Sequence, residues 1–214
     1  MQSELQLLSQ LSDLVYSASD FKKTLMLNNA GKTSDQEVLK FREKIRAQLL
    51  AMQNQLNTDY SSKIAEFILF PIITNVDEKF MLLITERELP CHWDTLQAEF
   101  YGRTDGGEFV FDVLDEVLSN KIYPKISYEV LLMVLQDDFL GKYYHNPNHA
   151  ERHQYISRVK SILKDFNQNT NINEEVVATT TSRQQMPNSR KAQNIVWGVV
   201  AICILVPLGI YFFA

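Results

Sequence analysis

The last twenty residues, Ile195 to Ala214, contain no charged side chain, and this run limits the folds open to the chain more than any other feature. At about 1.5 Å of rise per residue such a segment makes a helix roughly 30 Å long, the thickness of a bilayer's hydrocarbon core. In hydrocarbon a backbone must satisfy its own N–H and C=O groups, so one C-terminal transmembrane helix is expected. Arg190 and Lys191 precede the run, and Trp197, Tyr211, Phe212 and Phe213 stand near its two ends, where aromatic rings favour the headgroup layers. The basic flank predicts an N-terminal domain on the cytoplasmic side. Met1 to Leu14 has neither a basic start nor an apolar stretch, so no export signal is expected.

The remainder has room for one domain of about 165 residues. The chain's two cysteines, Cys91 in the domain and Cys203 in the span, fall in different environments and are not expected to pair, which suits a reducing cytoplasm. The net charge of -5 is unevenly spread: Asp77 to Asp138 holds 14 acidic against 5 basic residues, whereas Phe139 to Phe166 holds 5 basic against 2 acidic. An acidic middle disfavours nucleic acid and anionic lipid and favours basic protein partners.

Apolar residues recur at helical spacing throughout, and no run alternates at period two, so the class is all-α. The first helix is expected over Ser3–Leu27, with Leu5, Leu8, Leu11, Val15 and Leu25 on or near one face. Ser34 and Glu37 fit a capping box that opens a second, to Leu56. Ser61 or Ser62 caps a third through Ile64, Phe67, Ile68, Ile72 and Val76, with Pro71 expected to kink or shorten it. A short helix holds Trp93, Leu96 and Phe100, and another follows Gly106-Gly107 through Phe111 and Leu114. Ser127 is the expected cap of Tyr128–Phe139, and Pro147-Asn148 opens a last helix ending near Phe166. About seven helices make a bundle over residues 1–166. Residues 167–194 are rich in Asn, Thr, Ser and Gln and are expected to form a polar tether to the anchor at 195–214.

The chemical motifs are incomplete. Gly31-Lys32-Thr33 resembles the end of a phosphate loop, but the required earlier glycine is replaced by Met26. His145, His149 and His153 are spaced by four, yet Pro147 interrupts the helix and no cysteine joins them. Asp77-Glu78 and Asp137-Asp138 are adjacent carboxylates, which point about 100° apart on a helix and so form no acid–base dyad. No nucleophile has an adjacent base; neither an enzyme nor a cofactor is expected.

From Ile64 to Tyr144 the chain resembles the DotU/TssL family of secretion-system inner-membrane proteins. The apolar run Phe67–Val76 ends in Asp77-Glu78; Trp93, Leu96, Phe100 and Tyr101 precede Gly106-Gly107-Glu108; Phe111 and Leu114 follow. Glu129 then leads to Asp138-Phe139-Leu140-Gly141-Lys142-Tyr143, where the family pattern is Gly-Phe-x-Gly-Arg-Tyr, so Asp138 stands for a glycine and Lys142 for an arginine.

The resemblance implies a scaffold of a type VI or type IVB secretion system in the bacterial inner membrane. Its implied partners are an IcmF/TssM-like membrane protein, the cytoplasmic baseplate and a second copy through the span. Some members carry a peptidoglycan-binding domain beyond the span, and the stop at Ala214 predicts none here. The acidic stretch, with Asp77, Glu78, Glu129, Asp137 and Asp138, is the expected docking region. Gly198, Ala201 and Gly209 fall within about 80° of one another and are the expected contact face of the span. The alternative is a tail-anchored Bcl-2-like regulator that binds amphipathic helices, suggested by Tyr101-Gly102-Arg103. There, however, the arginine leads into an apolar run, whereas Thr104, Asp105, Gly106 and Gly107 follow here.

Overall fold

Ile68, Leu69, Phe70, Ile72 and Ile73 point to different sides of one helix, and all are buried. A helix that is apolar all round must be covered all round, and this dictates the architecture. The computed structural model describes residues 2–27, 35–89 and 91–183. Its helices are α1 (Gln2–Leu27), α2 (Asp35–Asp59), α3 (Ser62–Arg87), α4 (Leu96–Tyr101), α5 (Gly106–Ser119), α6 (Lys125–Gln136) and α7 (Ala150–Arg183), with a 3-10 turn at Gly141–Tyr143. The class is all-α, as expected. α3 is the central element and touches α1, α2, α4, α5 and α6.

Stacked rings tie the outer helices to α3. Phe21 of α1 stacks on Phe41 of α2, with centroids 4.1 Å apart, and both lie against Phe80 of α3. On its other side Phe80 stacks on Trp93 at 4.5 Å. Tyr155 and Val159 bury the near face of α7, and Phe166 packs on Tyr128 of α6.

Several boundaries differ from the sequence reading, each for a physical reason. Pro71 neither ends nor shortens α3. The proline costs about 3 kcal/mol in an isolated helix, but here it is itself buried in packing that covers the helix along its length. α6 begins at Lys125 with Pro124 at the capping position, because proline has no N–H to leave unpaired there. Ser127 therefore lies inside the first turn, buried, with its hydroxyl lacking a protein partner. Ser61 occupies the N-cap of α3 but makes no side-chain capping bond. α7 does not stop near Phe166 but continues to Arg183, since no proline or glycine occurs between Pro147 and Pro187 to end it. The chain divides into two units, residues 1–167 and 168–214.

Among the described residues no helix is long and apolar enough to cross a membrane. The expected span, with Gly198, Ala201 and Gly209, lies outside the described residues, as do Ser34 and Gly31-Lys32-Thr33.

Candidate functional site

Midway along α3 the backbone turns Asp77 and Glu78 toward two different neighbours, and each carboxylate is occupied by N–H donors. Asp77 is fully buried. Its Oδ1 accepts the Trp93 indole N–H at 2.7 Å and the Leu96 amide at 2.8 Å, and its Oδ2 accepts the Gln97 amide at 2.8 Å. Thr95, the N-cap residue of α4, makes no side-chain capping bond, so Asp77 caps that short helix from outside. Glu78 does the same for the 3-10 turn, accepting the Leu140 and Gly141 amides at 2.8 and 2.7 Å. Burial pushes both carboxyls above their ordinary range, while the donors pull them back.

The Gly106-Gly107 pair serves close packing rather than a turn. Gly106 opens α5 and donates its N–H to Gln97 Oε1 at 2.8 Å; a Cβ there would press on that oxygen and lie 2.6 Å from Thr74 Cγ2. A Cβ on Gly107 would lie 3.2 Å from the Cα of Gly141. Gly141 itself has φ 48°, the left-handed conformation. Thr74, Glu78, Met81, Gln97, Gly107 and Tyr144 line a shallow cleft of about 250 Å³ over this junction.

Asp137 and Asp138 follow the last turn of α6. Asp137 pairs with Lys79 of α3 and accepts hydrogen bonds from Ser19 of α1 at 3.1 Å and Asn75 Nδ2 at 2.9 Å. Burial lowers the pKa of the Lys79 ammonium, and Asp137 opposes that shift. Asp138 is exposed at φ 62°, so the residue standing for the family's glycine takes glycine's conformation. Glu129 lies earlier on α6, half-buried, and pairs with Lys125 at 3.0 Å. The five acidic residues therefore do not form one surface. Asp77 faces α4, Glu78 the 3-10 turn and Asp137 the first helix, and only Asp138 is exposed.

Part of the wider acidic stretch is also compensated by cations of the same domain. Glu99 meets Arg42 at 2.8 Å and also Arg46; Asp105 meets Arg103 at 2.7 Å; Glu116 meets Lys63 at 2.8 Å. Arg42 and Lys63 lie more than fifty residues from their partners in sequence, so a running charge count does not register them. Nor does it single out Arg152, which is buried and donates to the carbonyls of Leu135 at 2.7 Å and Phe139 at 3.1 Å, closing the C-terminal end of α6. Gly102 ends α4 in the left-handed conformation, and Arg103 lies over the Phe109 ring, 3.6 Å from its centroid.

His149 stacks on Tyr143 and His145 lies edge-on to Tyr144. Among the described residues no group of three or more His, Cys, Asp or Glu is placed to hold a metal ion.

Comparison with known proteins gives a consistent result. The family described as "Type VI secretion system protein DotU" matches residues 7–214. Among solved structures, DotU from Francisella novicida is 30% identical, with a TM-score of 0.68, over 74% of this chain and 98% of that one. SciP/TssL from enteroaggregative Escherichia coli 042 is 20% identical, with a TM-score of 0.51, over 72% of this chain and 87% of that one, and shares the fold. No curated protein is matched.

Proposed function

The chain belongs to the DotU family of type VI secretion system proteins, and from that premise we propose that it is a tail-anchored inner-membrane scaffold joining an IcmF/TssM-like membrane partner to the cytoplasmic baseplate. The general role, a non-catalytic membrane scaffold of type VI secretion, follows from the family itself. The observation that carries the finer reading is the extent of the match, which runs from the first helix through the uncharged tail to residue 214. On this reading residues 195–214 cross the membrane once, residues 1–166 work on the cytoplasmic side, and residues 167–194 connect the two.

Gly198, Ala201 and Gly209 are the proposed contact face of the span, since small residues allow helices to approach. For the partner surface, Asp77, Glu78 and Asp137 act by holding α4, the 3-10 turn and α1 in place. Asp138, the exposed member, is left to meet a basic partner directly, and Glu129 does so by exchanging its pairing with Lys125. The test is recovery of the full chain, tagged at its N-terminus, from membranes in mild detergent. A large inner-membrane protein of the IcmF type is expected with it, and its absence under conditions that preserve membrane complexes overturns the proposal.

A further inference from the structure

Lys142 brings its ammonium over three aromatic rings at once. Its Nζ lies 5.0 Å from the centroid of Phe111 in α5, 5.2 Å from that of Tyr143 in the 3-10 turn and 5.8 Å from that of Tyr155 in α7. The rings pack on one another, Phe111 edge-on to Tyr143 at 4.8 Å and tilted to Tyr155 at 5.5 Å, so they make one cage. Both phenols donate to carboxylates, Tyr143 to Glu151 at 2.6 Å and Tyr155 to Asp115 at 2.9 Å. Donation to an anion polarises a phenol and makes its ring richer in electrons, which strengthens the pull of its face on a cation. Burial, helped by these carboxylates, pushes both phenols above their ordinary range, so both remain donors at neutral pH.

Lys142 uses only part of what this cage offers. An ammonium has three donors, yet among the described residues no hydrogen bond or ion pair reaches that of Lys142, and the residue is exposed. Its ring distances lie near the outer limit of about 6 Å for such an attraction. The rim is acidic. Glu108, Asp112 and Asp115 follow helical spacing along one stripe of α5; all three are exposed, and among the described residues none makes an ion pair. Glu151 has His149 at 4.0 Å. Against these four carboxylates stand Lys142 itself and the exposed Arg158, which acts on Tyr155.

We propose that Phe111, Tyr143 and Tyr155 form a cation-binding cage that Lys142 fills as an internal plug, and that a lysine or arginine side chain of a second protein takes the cage when Lys142 swings out. The incoming side chain places its donors on Glu151 and Asp115, which Lys142 does not reach, and the acidic stripe of α5 complements a basic segment around it. An apolar or acidic segment gains neither contact.

Saturation-transfer NMR on the full chain in a nonionic detergent, irradiating aromatic protons at matched ionic strength, is the test. The probes are the capped tripeptides Gly-Lys-Gly and Gly-Arg-Gly, with Gly-norleucine-Gly as the uncharged control. Both basic probes are expected to bind the natural protein and to bind Lys142→Ala about tenfold more tightly, since a cage open one-tenth of the time loses that factor in apparent affinity. Glu151→Gln with Asp115→Asn, added to Lys142→Ala, is expected to remove most of the gain. Lys142→Gln keeps a plug-like stem without its charge and is expected to gain in the same direction, so the test survives a Lys142→Ala protein that does not fold. Equal affinity of the natural and variant proteins, no binding by a variant whose circular dichroism is natural, or equal binding of the norleucine control overturns the proposal. Binding by the variants alone, with none by the natural protein at saturating probe, makes Lys142 a permanent filler and overturns the exchange. No membrane partner is needed for these measurements, so their outcome is separate from recovery of the IcmF-type protein.

Discussion

Asp77-Glu78 sits at mid-helix in α3, whereas Asp137-Asp138 sits where α6 stops, and the two adjacent-carboxylate pairs meet opposite conditions. Around α3 lie segments whose own N–H groups need acceptors: the start of a six-residue helix and a 3-10 turn. Carboxylates there satisfy orphan donors. At the end of α6 the backbone presents carbonyl oxygens, and the helix dipole disfavours negative charge. Lys79 and Arg152 supply the compensating cations. Which backbone groups lie nearby, rather than residue type, decides whether a carboxylate pair fastens the structure or has to be fastened.

The mid-helix pair should therefore be the costlier to remove. Asp77→Ala leaves the Trp93 indole and the Leu96 and Gln97 amides without an acceptor, and is expected to cost about 3 kcal/mol or more in urea unfolding. A loss below about 1 kcal/mol would place those donors within reach of water and break the contrast. Gly106→Ala attacks the same junction from the other side. It gains roughly 1 kcal/mol of helix propensity, but its methyl presses on Gln97 and Thr74, so a net loss of about 2 kcal/mol is expected from the same measurement.

At the α6 end, Asp137→Ala strands the buried Lys79 ammonium with the Ser19 hydroxyl, which it reaches at 2.7 Å. Lys79→Met instead removes the charge that needs pairing. The first is expected to cost about 2 kcal/mol, because Asp137 is partly solvated, and the second under about 1 kcal/mol. The pH dependence gives an independent check. The folded pKa of Lys79 lies below its unfolded value of 10.5, so between the two the unfolded chain holds more protons and stability rises with pH. Unfolding curves taken toward pH 10.5 should show that rise in the natural protein and lose it in Lys79→Met.

The helices were legible in the sequence because their apolar spacing is local information. Ile64, Phe67, Ile68, Ile72 and Val76 mark α3 without reference to anything else, and the Asp-Glu that follows is conspicuous against so apolar a run. What occupies those carboxylates was not legible. Their donors arrive from Trp93 sixteen residues away and from Leu140 and Gly141 more than sixty away, distances that helical periodicity does not encode. The same holds for Arg152, whose own helix gives no sign that its guanidinium ends a neighbour. Ser127 shows the converse failure: a good capping residue lost the position to Pro124, three residues earlier in the chain.

The smallest predicted effect tests whether Asp138 belongs with the misplaced charges. Its φ of 62° costs a non-glycine residue roughly 1 kcal/mol, and the Phe139 amide reaches back to Val134 O at 3.4 Å to close the helix around it. Glycine removes that strain and takes a carboxylate away from the negative end of α6, while returning about 0.5–1 kcal/mol through its freer unfolded chain. Asp138→Gly is expected to stabilise by about 0.5 kcal/mol, a rise of roughly 1–2 °C in a thermal melt. A fall in melting temperature instead would mean that the Asp138 charge supports the Lys79 ammonium, toward which it acts electrostatically. In that case both carboxylates of the pair would be holding the α6 end together, and the contrast with Asp77-Glu78 would narrow to which donors each pair serves.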